Sequence, residues 1–542
     1  MTSTSIRLRP WQKTALERFE ERAGPDFLAV ATPGAGKTTF ALTAAARELA
    51  SGRCARLVVV APTQHLKHQW TDAACRFGVH LDPDWSARDG ALPADMHGIV
   101  TTYQQVATSA EALSRLSSGS FVVLDEVHHA GDDRTWGSSV LVAFASARRR
   151  LSLSGTPFRS DSSAIPFVDY HLDTARADFE YGYGDALRDG RVVRPVFFPA
   201  LGGDMEWIAP DGSEQAAGFD DALDTVRANQ RLRTALSADG AWLPRILTDA
   251  HARLLAIRRR HADAGGLVIA TDQDHARSIA TIMRRRLGVV PVVATSDDPT
   301  ASGRIAAFAA GSAPWIVAVR MVSEGVDIPR LRVGVFATTT TTELFFRQAV
   351  GRLVRWTPGV RSQRAYLFIP DDARLRRWAG GIAEQRRHQR RRPDGDDGDV
   401  VGTQGDTGPP DAEEAAREQL SLFSAISAVA TEEATVVALY DDWDDLDEED
   451  EPAGLEVHVV VPPPPGLASS GDAVATTRRQ HKRQLRQQNA EAVADLVRFT
   501  ARDHRSVNAE LNRRVGLVRI SEATVEQLER RLEAANRWIR DC

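Results

Sequence analysis

Between an apolar run, Phe27 to Val30, and an alanine-rich stretch, Phe40 to Ala50, lies Ala-Thr-Pro-Gly-Ala-Gly-Lys-Thr-Thr, Ala31 to Thr39. It reads as a strand, a phosphate-sized loop and a helix start. Gly34 and Gly36 remove side chains that would block close approach, so successive N–H groups and the positive end of the following helix can face an anion. Lys37 then reaches the β- and γ-phosphates of a nucleotide and the Thr38 hydroxyl holds Mg2+, with Pro33, Ala35 and Thr39 completing the cradle. The pattern's first glycine is Ala31 here.

Length and composition bound what surrounds this loop. A chain of 542 residues exceeds what one core supports, so two to four domains of about 100–200 residues are expected. Hydrophobic content of 43% and charged content of 26% are those of a folded globular protein. The net charge of −6 excludes a wholly basic nucleic-acid coat, so local clusters must carry any such binding. Cys54, Cys75 and Cys542 have no Cys-x-x-Cys spacing, which argues against a zinc knuckle or a disulfide framework and fits a reducing compartment. No signal-peptide core or membrane-span-length apolar run is present, so a cytoplasmic location with no membrane partner is expected. Lysine occurs at 13, 37, 67 and 482, and the residues two before each are Trp11, Ala35, His65 and Gln480. None is acidic, so a Glu-x-Lys nuclease core is absent.

Apolar strands then alternate with helical stretches. Leu57 to Thr63, Gly98 to Tyr103, Phe121 to Leu124 and Arg150 to Leu153 each end in a polar cluster. Continuous apolar strands of this kind indicate a parallel sheet covered on both faces, and ligands of such sheets bind beyond the carboxyl ends of the strands. Asp125 and Glu126 close the third run. Opposite a phosphate loop, Asp125 can hold Mg2+ and Glu126 can align and deprotonate an attacking water. The adjacent His128 and His129 diverge too much for a metal site and are expected to link the nucleotide site to Ser154 and Thr156. Upstream, Leu8 to Gln12 starts an amphipathic helix with a proline near its first turn. The Gln12 amide, which donates and accepts, can read an adenine edge.

A second set of strands follows at Gly266 to Thr271, Pro291 to Ala294, Trp315 to Val319 and Val333 to Ala337. Gly202 to about Ala241, with its Gly, Asp and Pro, reads as a variable linker with a short helix. In the helix opened by Phe345, Gln348, Arg352 and Arg355 are separated by four and three and share one face. An arginine pair presented to a phosphate across a cleft is suited to stabilising charge in phosphoryl transfer.

Taken in order, Leu8–Gln12, Ala31–Thr39, Val60–Trp70, Thr101–Tyr103, Asp125–His129, Ser154–Pro157, Val268–Thr271, Ser323–Pro329 and Gln348–Arg355 resemble the motif series of a superfamily 2 DExH-type DNA helicase or translocase. Ser154 to Arg159 draws the resemblance toward restriction-enzyme motor subunits and repair helicases. The resemblance covers roughly the first 370 residues, consistent with two domains of typical size. It implies an α/β fold of two tandem RecA-like parallel-sheet domains, with ATP and Mg2+ between them and nucleic acid, DNA in particular, across the opposite edge. It also implies that Gln12 contacts adenine, that Asp327 beside Gly325 touches the ribose, that Gln348 and Arg352 meet the γ-phosphate, and that Arg355 is the arginine finger. Gln64, Thr102, Tyr103 and Thr271 are the expected nucleic-acid contacts.

The expected division is 1–195 for the first RecA-like domain, 196–245 for a linker and 246–375 for the second domain. A basic then flexible linker, 376–412, precedes a helical segment with an acidic and Pro-rich linker, 413–465, and a C-terminal mainly helical region, 466–542. Glu413 to Tyr440 looks helical. In the last region Thr524 and Gln527 form a capping box, and Val525, Leu528, Leu532, Ala535, Trp538 and Ile539 make an apolar stripe. That region is a bundle docking on the motor or a protein partner, or else a nucleic-acid module using Arg478, Arg479, Lys482, Arg483 and Arg486. Two alternatives to a DNA helicase or translocase stand: an RNA helicase, against which the Asp125 to His129 sequence speaks, and a nucleotide-gated regulatory component of a restriction or defence complex.

Overall fold

The computed structural model describes residues 2–87, 91–131, 134–155, 165–171, 174–295, 297–298, 300–319, 328–361, 363–388, 424–430, 435–437, 455–465, 478–500, 504–517 and 523–540. The chain opens with β1 (Thr2–Leu8), α1 (Pro10–Glu21), β2 (Asp26–Ala31), α2 (Lys37–Ala50), β3 (Arg56–Ala61) and α3 (Gln64–Arg76). Next come β4 (Leu81–Asp82), β5 (Gly98–Thr102), α4 (Tyr103–Ser117), β6 (Ser120–Leu124), α5 (Arg134–Phe144) and β7 (Arg149–Ser154). A small hairpin of β8 (Tyr170–His171) and β9 (Thr174–Ala175) leads to β10 (Phe179–Tyr181) and α6 (Tyr183–Arg188).

Seven of these strands form one sheet in the order β10-β2-β7-β6-β3-β5-β4, and every neighbour pair is parallel. Alternation along each strand feeds two cores. Leu57, Val59 and Ala61 of β3 pack on the face covered by α1 and α2 with Trp11, Phe19 and Phe40. Val58 and Val60 face the other way, against Tyr103, Val106, Val127 and Phe144. Full burial of a side chain such as Val59 or Phe121 contributes roughly 1.5–3 kcal/mol. The sheet is therefore a stiff platform from whose carboxyl edge the loops project.

The second half contains β11 (Val196–Leu201), β12 (Gly203–Ile208), β13 (Glu214–Gly218), α7 (Thr225–Ala235), α8 (Trp242–Arg258), β14 (Gly265–Ala270) and α9 (Gln273–Leu287). It continues through β15 (Val292–Ala294), α10 (Ala301–Ala310), β16 (Trp315–Ala318), β17 (Leu331–Ala337), α11 (Glu343–Leu353), β18 (Ala365–Pro370) and α12 (Ala373–His388). Three later strands are β19 (Ser424–Ala430), β20 (Thr435–Val437) and β21 (Leu455–Val461). The second sheet has the order β15-β16-β14-β17-β18-β11-β20. Its strands are parallel except for β20, which pairs antiparallel on the edge of β11. The two tandem parallel-sheet domains expected from the sequence are present.

Three expectations are corrected. The stretch 196–245 is not a linker: β11 lies inside the second sheet, and β12, β13 and β19 form a separate three-stranded sheet. Met205 and Trp207 of β12 join Trp242, Leu243 and Ile246 of α8 in the second core. The residues of 413–440 that are described are strands rather than helix. Ser-Ala-Ile-Ser-Ala-Val-Ala shows no strict alternation of its own, and it is β12, more than 200 residues earlier in the chain, that gives it a partner. Third, part of the expected acidic and Pro-rich linker within 413–465 is a strand: β21 pairs antiparallel with β1 from Thr2↔Val461 to Leu8↔Leu455.

The C-terminal helices α13 (Arg478–Thr500), α14 (His504–Val515) and α15 (Val525–Arg540) enclose Val493, Leu496, Val507, Leu511 and Ala535. The capping box forms: Thr524 N donates to Gln527 Oε1 at 2.9 Å and Gln527 N to Thr524 Oγ1 at 3.2 Å. Among the described residues no helix is long and apolar enough to cross a membrane.

Candidate active site

The loop after β2 is shaped by two left-handed glycines, Gly34 at φ 83° and Gly36 at φ 97°, the latter capping α2. A Cβ on Gly36 would lie 2.7 Å from Gln12 Nε2, and at this φ any L side chain is strained, which favours glycine. The loop carbonyls are gripped from α1 and the residue before it. Arg9 Nη1 donates to Gly34 O at 3.1 Å and to Ala35 O at 2.8 Å, Trp11 Nε1 to Ala35 O at 3.2 Å, and Gln12 Nε2 to Gly36 O at 2.9 Å. With its carbonyls committed there, the loop can present N–H groups elsewhere, and the first N–H groups of α2 have no intrahelical partner. This is the chemistry a polyphosphate needs. Gln12 is buried, and its Oε1 accepts from Arg9 N at 2.8 Å.

At the end of β6 the chain turns through Glu126, a non-glycine residue at φ 46°. Such strain is held only where surrounding contacts demand it. Here Lys37 Nζ meets Glu126 Oε1 at 2.6 Å, and Gly155 N donates to Glu126 Oε2 at 3.1 Å. Burial opposes ionisation of Glu126, but the Lys37 ammonium, His128 and the Gly155 N–H outweigh it and hold the carboxyl below its usual range. Its neighbour goes the other way: burial first, then the Glu126 charge, pushes Asp125 up to about 6. Asp125 Oδ2 accepts from Trp70 Nε1 at 2.7 Å.

Thr38 Oγ1 and the Asp125 carboxylate are oxygen donors of the kind Mg2+ takes alongside several waters and phosphate oxygens. Among the described residues no group of three or more His, Cys, Asp or Glu could hold a metal ion by itself.

The second domain reaches this site through α11. Gln348 Nε2 lies 3.2 Å from His128 Nε2, and His128 Nδ1 lies 3.4 Å from Ser154 Oγ. A Cβ on Gly351 would stand 2.6 Å from Pro33 Cγ, and one on Gly34 would stand 3.5 Å from Arg355 Cγ. Arg352 follows Gly351 on the same helix. The phosphate loop, Glu126, His128, Ser154, Gln348 and the backbone of Arg355 are thus brought together. Thr156, Gly325 and Asp327 lie outside the described residues.

The four residues expected at nucleic acid are placed differently from one another. Gln64 is exposed at the start of α3, and Thr271 is half-buried with its backbone N donating to His275 Nδ1. Thr102 is buried as the cap of α4, its Oγ1 accepting from Gln105 N. Tyr103 is fully buried and its hydroxyl donates to Asp125 O at 2.9 Å. These last two side chains are corrected from polymer contacts to interior supports of the site, because α4 turns its first residues onto the sheet rather than outward.

Sequence reasoning missed Arg9, Trp11 and Trp70. The Leu8 to Gln12 stretch encloses the first two and the Val60 to Trp70 stretch ends on the third, but neither marks the side chain that matters.

Two parallel sheets and this ordered set of residues are consistent with the superfamily 2 helicase branch. Residues 5–159 match the family described as type III restriction enzyme, res subunit. The chain is 45% identical over 395 residues to Rv2917, an uncharacterized protein of Mycobacterium tuberculosis, covering 71% of this chain and 65% of that one. It is 43% identical over 389 residues to ML1624, an uncharacterized protein of Mycobacterium leprae, covering 70% and 65%. The chain therefore spans about 65% of the length of these relatives. The DNA 3'-5' translocase XPB2 of Sulfurisphaera tokodaii is 24% identical over 368 residues, 65% of this chain and 79% of that protein. Among solved structures, the ATP-dependent type ISP restriction-modification enzyme LlaBIII bound to DNA aligns with 70% of this chain and 30% of its own at TM-score 0.48 and 16% identity.

Proposed function

We propose that this chain hydrolyses ATP between its two sheets and uses the cycle to translocate along, or unwind, DNA. The observation that carries this is the contact of α11 with the phosphate loop and His128, which gathers residues from both domains around Lys37 and Glu126. DNA is favoured over RNA by the likeness to a DNA translocase.

Lys37, paired with Glu126 in this structure, exchanges that partner for the β- and γ-phosphates, leaving Glu126 to orient and deprotonate the attacking water. Thr38 and Asp125 hold Mg2+, which supplies charge neutralisation on the phosphates when bound. Pro33, Gly34, Ala35, Gly36 and Thr39 cradle the phosphates, with Gln12 beside the base and Gly325 and Asp327 at the ribose. Gln348, Arg352 and Arg355 meet the γ-phosphate from the second domain and stabilise charge as the bond breaks. His128, Ser154 and Thr156 couple that event to the domain interface. Gln64 and Thr271 contact the polymer backbone without reading sequence. The C-terminal helices supply a surface for a protein partner.

Steady-state ATP hydrolysis without polymer and with double-stranded DNA, single-stranded DNA or RNA tests the proposal. Stimulation by DNA is expected. Stimulation by RNA alone would overturn the choice of polymer, and turnover indifferent to every polymer would overturn the motor.

A further inference from the structure

We propose that Trp70 is a positioning residue for the metal-holding carboxylate Asp125, and that through it the polymer-facing turn of α3 sets how tightly Mg2+ and nucleotide are held. The inference rests on the function proposed above and adds residues that no phosphate, base or metal touches.

Trp70 Nε1 donates to Asp125 Oδ2 at 2.7 Å, and both side chains are buried. An indole has one N–H and no acceptor, so its whole hydrogen-bonding capacity goes into this contact. A donor to a carboxylate in a water-poor site forms a strong, directional bond. It restrains the rotation of the Asp125 carboxylate, which also accepts from the Glu126 backbone N–H. A second aromatic residue acts on the same amino acid: Tyr103 donates its hydroxyl to Asp125 O at 2.9 Å. The side chain and the backbone of Asp125 are thus each tied to a different helix, α3 and α4.

Those helices begin at the same sheet edge. The parallel pairing of β3 with β5 runs from Leu57↔Gly98 to Ala61↔Thr102, so α3 and α4 start side by side. Gln64, exposed at the first residue of α3, precedes Trp70 by six residues, about 9 Å along the helix axis. α3 buries Trp70, Thr71 and Ala74 in the core, and close-packed interiors of this kind transmit strain. A shift of the Gln64 end on binding a polymer backbone therefore carries the indole with it and turns the carboxylate. Partners of metal-holding groups typically affect metal affinity by about 10–100-fold.

The test is binding of a fluorescent ATP analogue at stepped Mg2+ concentrations, with and without double-stranded DNA, for the full chain and for Trp70→Phe and Tyr103→Phe. Trp70→Phe keeps an aromatic ring and loses the donor. It should raise the Mg2+ concentration for half-maximal tight binding about tenfold, leave Mg2+-free analogue binding unchanged, and abolish the effect of DNA on that midpoint. Tyr103→Phe, which loses only a hydroxyl, should shift the midpoint in the same direction by a smaller factor. A midpoint within twofold of the unmodified chain in folded Trp70→Phe overturns the proposal. Should that variant not fold, an unshifted midpoint in Tyr103→Phe does the same. Lys37→Ala separates the two levels: unchanged analogue binding there would sink the ATP site itself rather than the role of Trp70.

Discussion

Gln348 Nε2 stands 3.2 Å from His128 Nε2, a contact between residues 220 positions apart that joins the helix of the second sheet to the acidic turn of the first. On the other side of the ring, His128 Nδ1 faces Ser154 Oγ at 3.4 Å and Glu126 Oε2 at 3.7 Å. This imidazole thereby connects the second domain to the carboxylate assigned as base.

That connection makes the two residues act as a unit. His128→Ala and Gln348→Ala should each lower kcat by about tenfold or more, and the double variant should be no slower than the worse single one. Coupling of about 1–3 kcal/mol is expected from a double-mutant cycle. Additive losses would show that the bond carries nothing between the domains.

Gly351 lies where α11 meets the phosphate loop, with a Cβ position only 2.6 Å from Pro33 Cγ and 3.0 Å from Pro33 Cβ. Within an isolated helix Gly351→Ala is favourable by about 1 kcal/mol, so the melting temperature should not fall. ATP turnover should nevertheless drop more than about tenfold, because the domains can no longer approach. Wild-type turnover in this variant would mean that the contact is not part of the working state.

In the C-terminal bundle Arg531 is buried and donates to three amides: Asn489 Oδ1 at 2.9 Å, Asn508 Oδ1 at 2.6 Å and Asn512 Oδ1 at 2.9 Å. Arg531→Met leaves those oxygens without their donor, at about 1–3 kcal/mol for each that water cannot reach. Urea unfolding followed by circular dichroism should show a loss of about 3 kcal/mol in the bundle transition, with ATP turnover unaffected. A loss below about 0.5 kcal/mol would mean that water satisfies the amides.

How much of this was legible in the sequence depends on the range of the interaction. The strand Leu57 to Ala61, the loop from Ala31 to Thr39 and the acidic turn at Asp125 are local patterns, so residue type and period reveal them. The cap made by Thr524 and Gln527 is likewise contained in four residues. The grip of Arg9 and Trp11 on the loop carbonyls spans 24 to 26 positions, and the bond from Trp70 to Asp125 spans 55. No periodicity encodes such pairs. The strands β19 and β20 were hidden for the same reason: Ala-rich residues between 424 and 437 become strands because β12 and β11 offer open edges far upstream. Tyr103 looked like a polymer contact from its place after a strand, and only the path of α4 turns it inward.

The central claim is that one nucleotide is shared by Glu126 on the first sheet and Arg355 on the second. Single-turnover ATP hydrolysis of Glu126→Gln and Arg355→Ala, measured beside equilibrium ATP binding, tests it most directly. Both variants should bind ATP and hydrolyse it at least about a thousandfold more slowly. Hydrolysis by Arg355→Ala at the rate of the unmodified chain would contradict it.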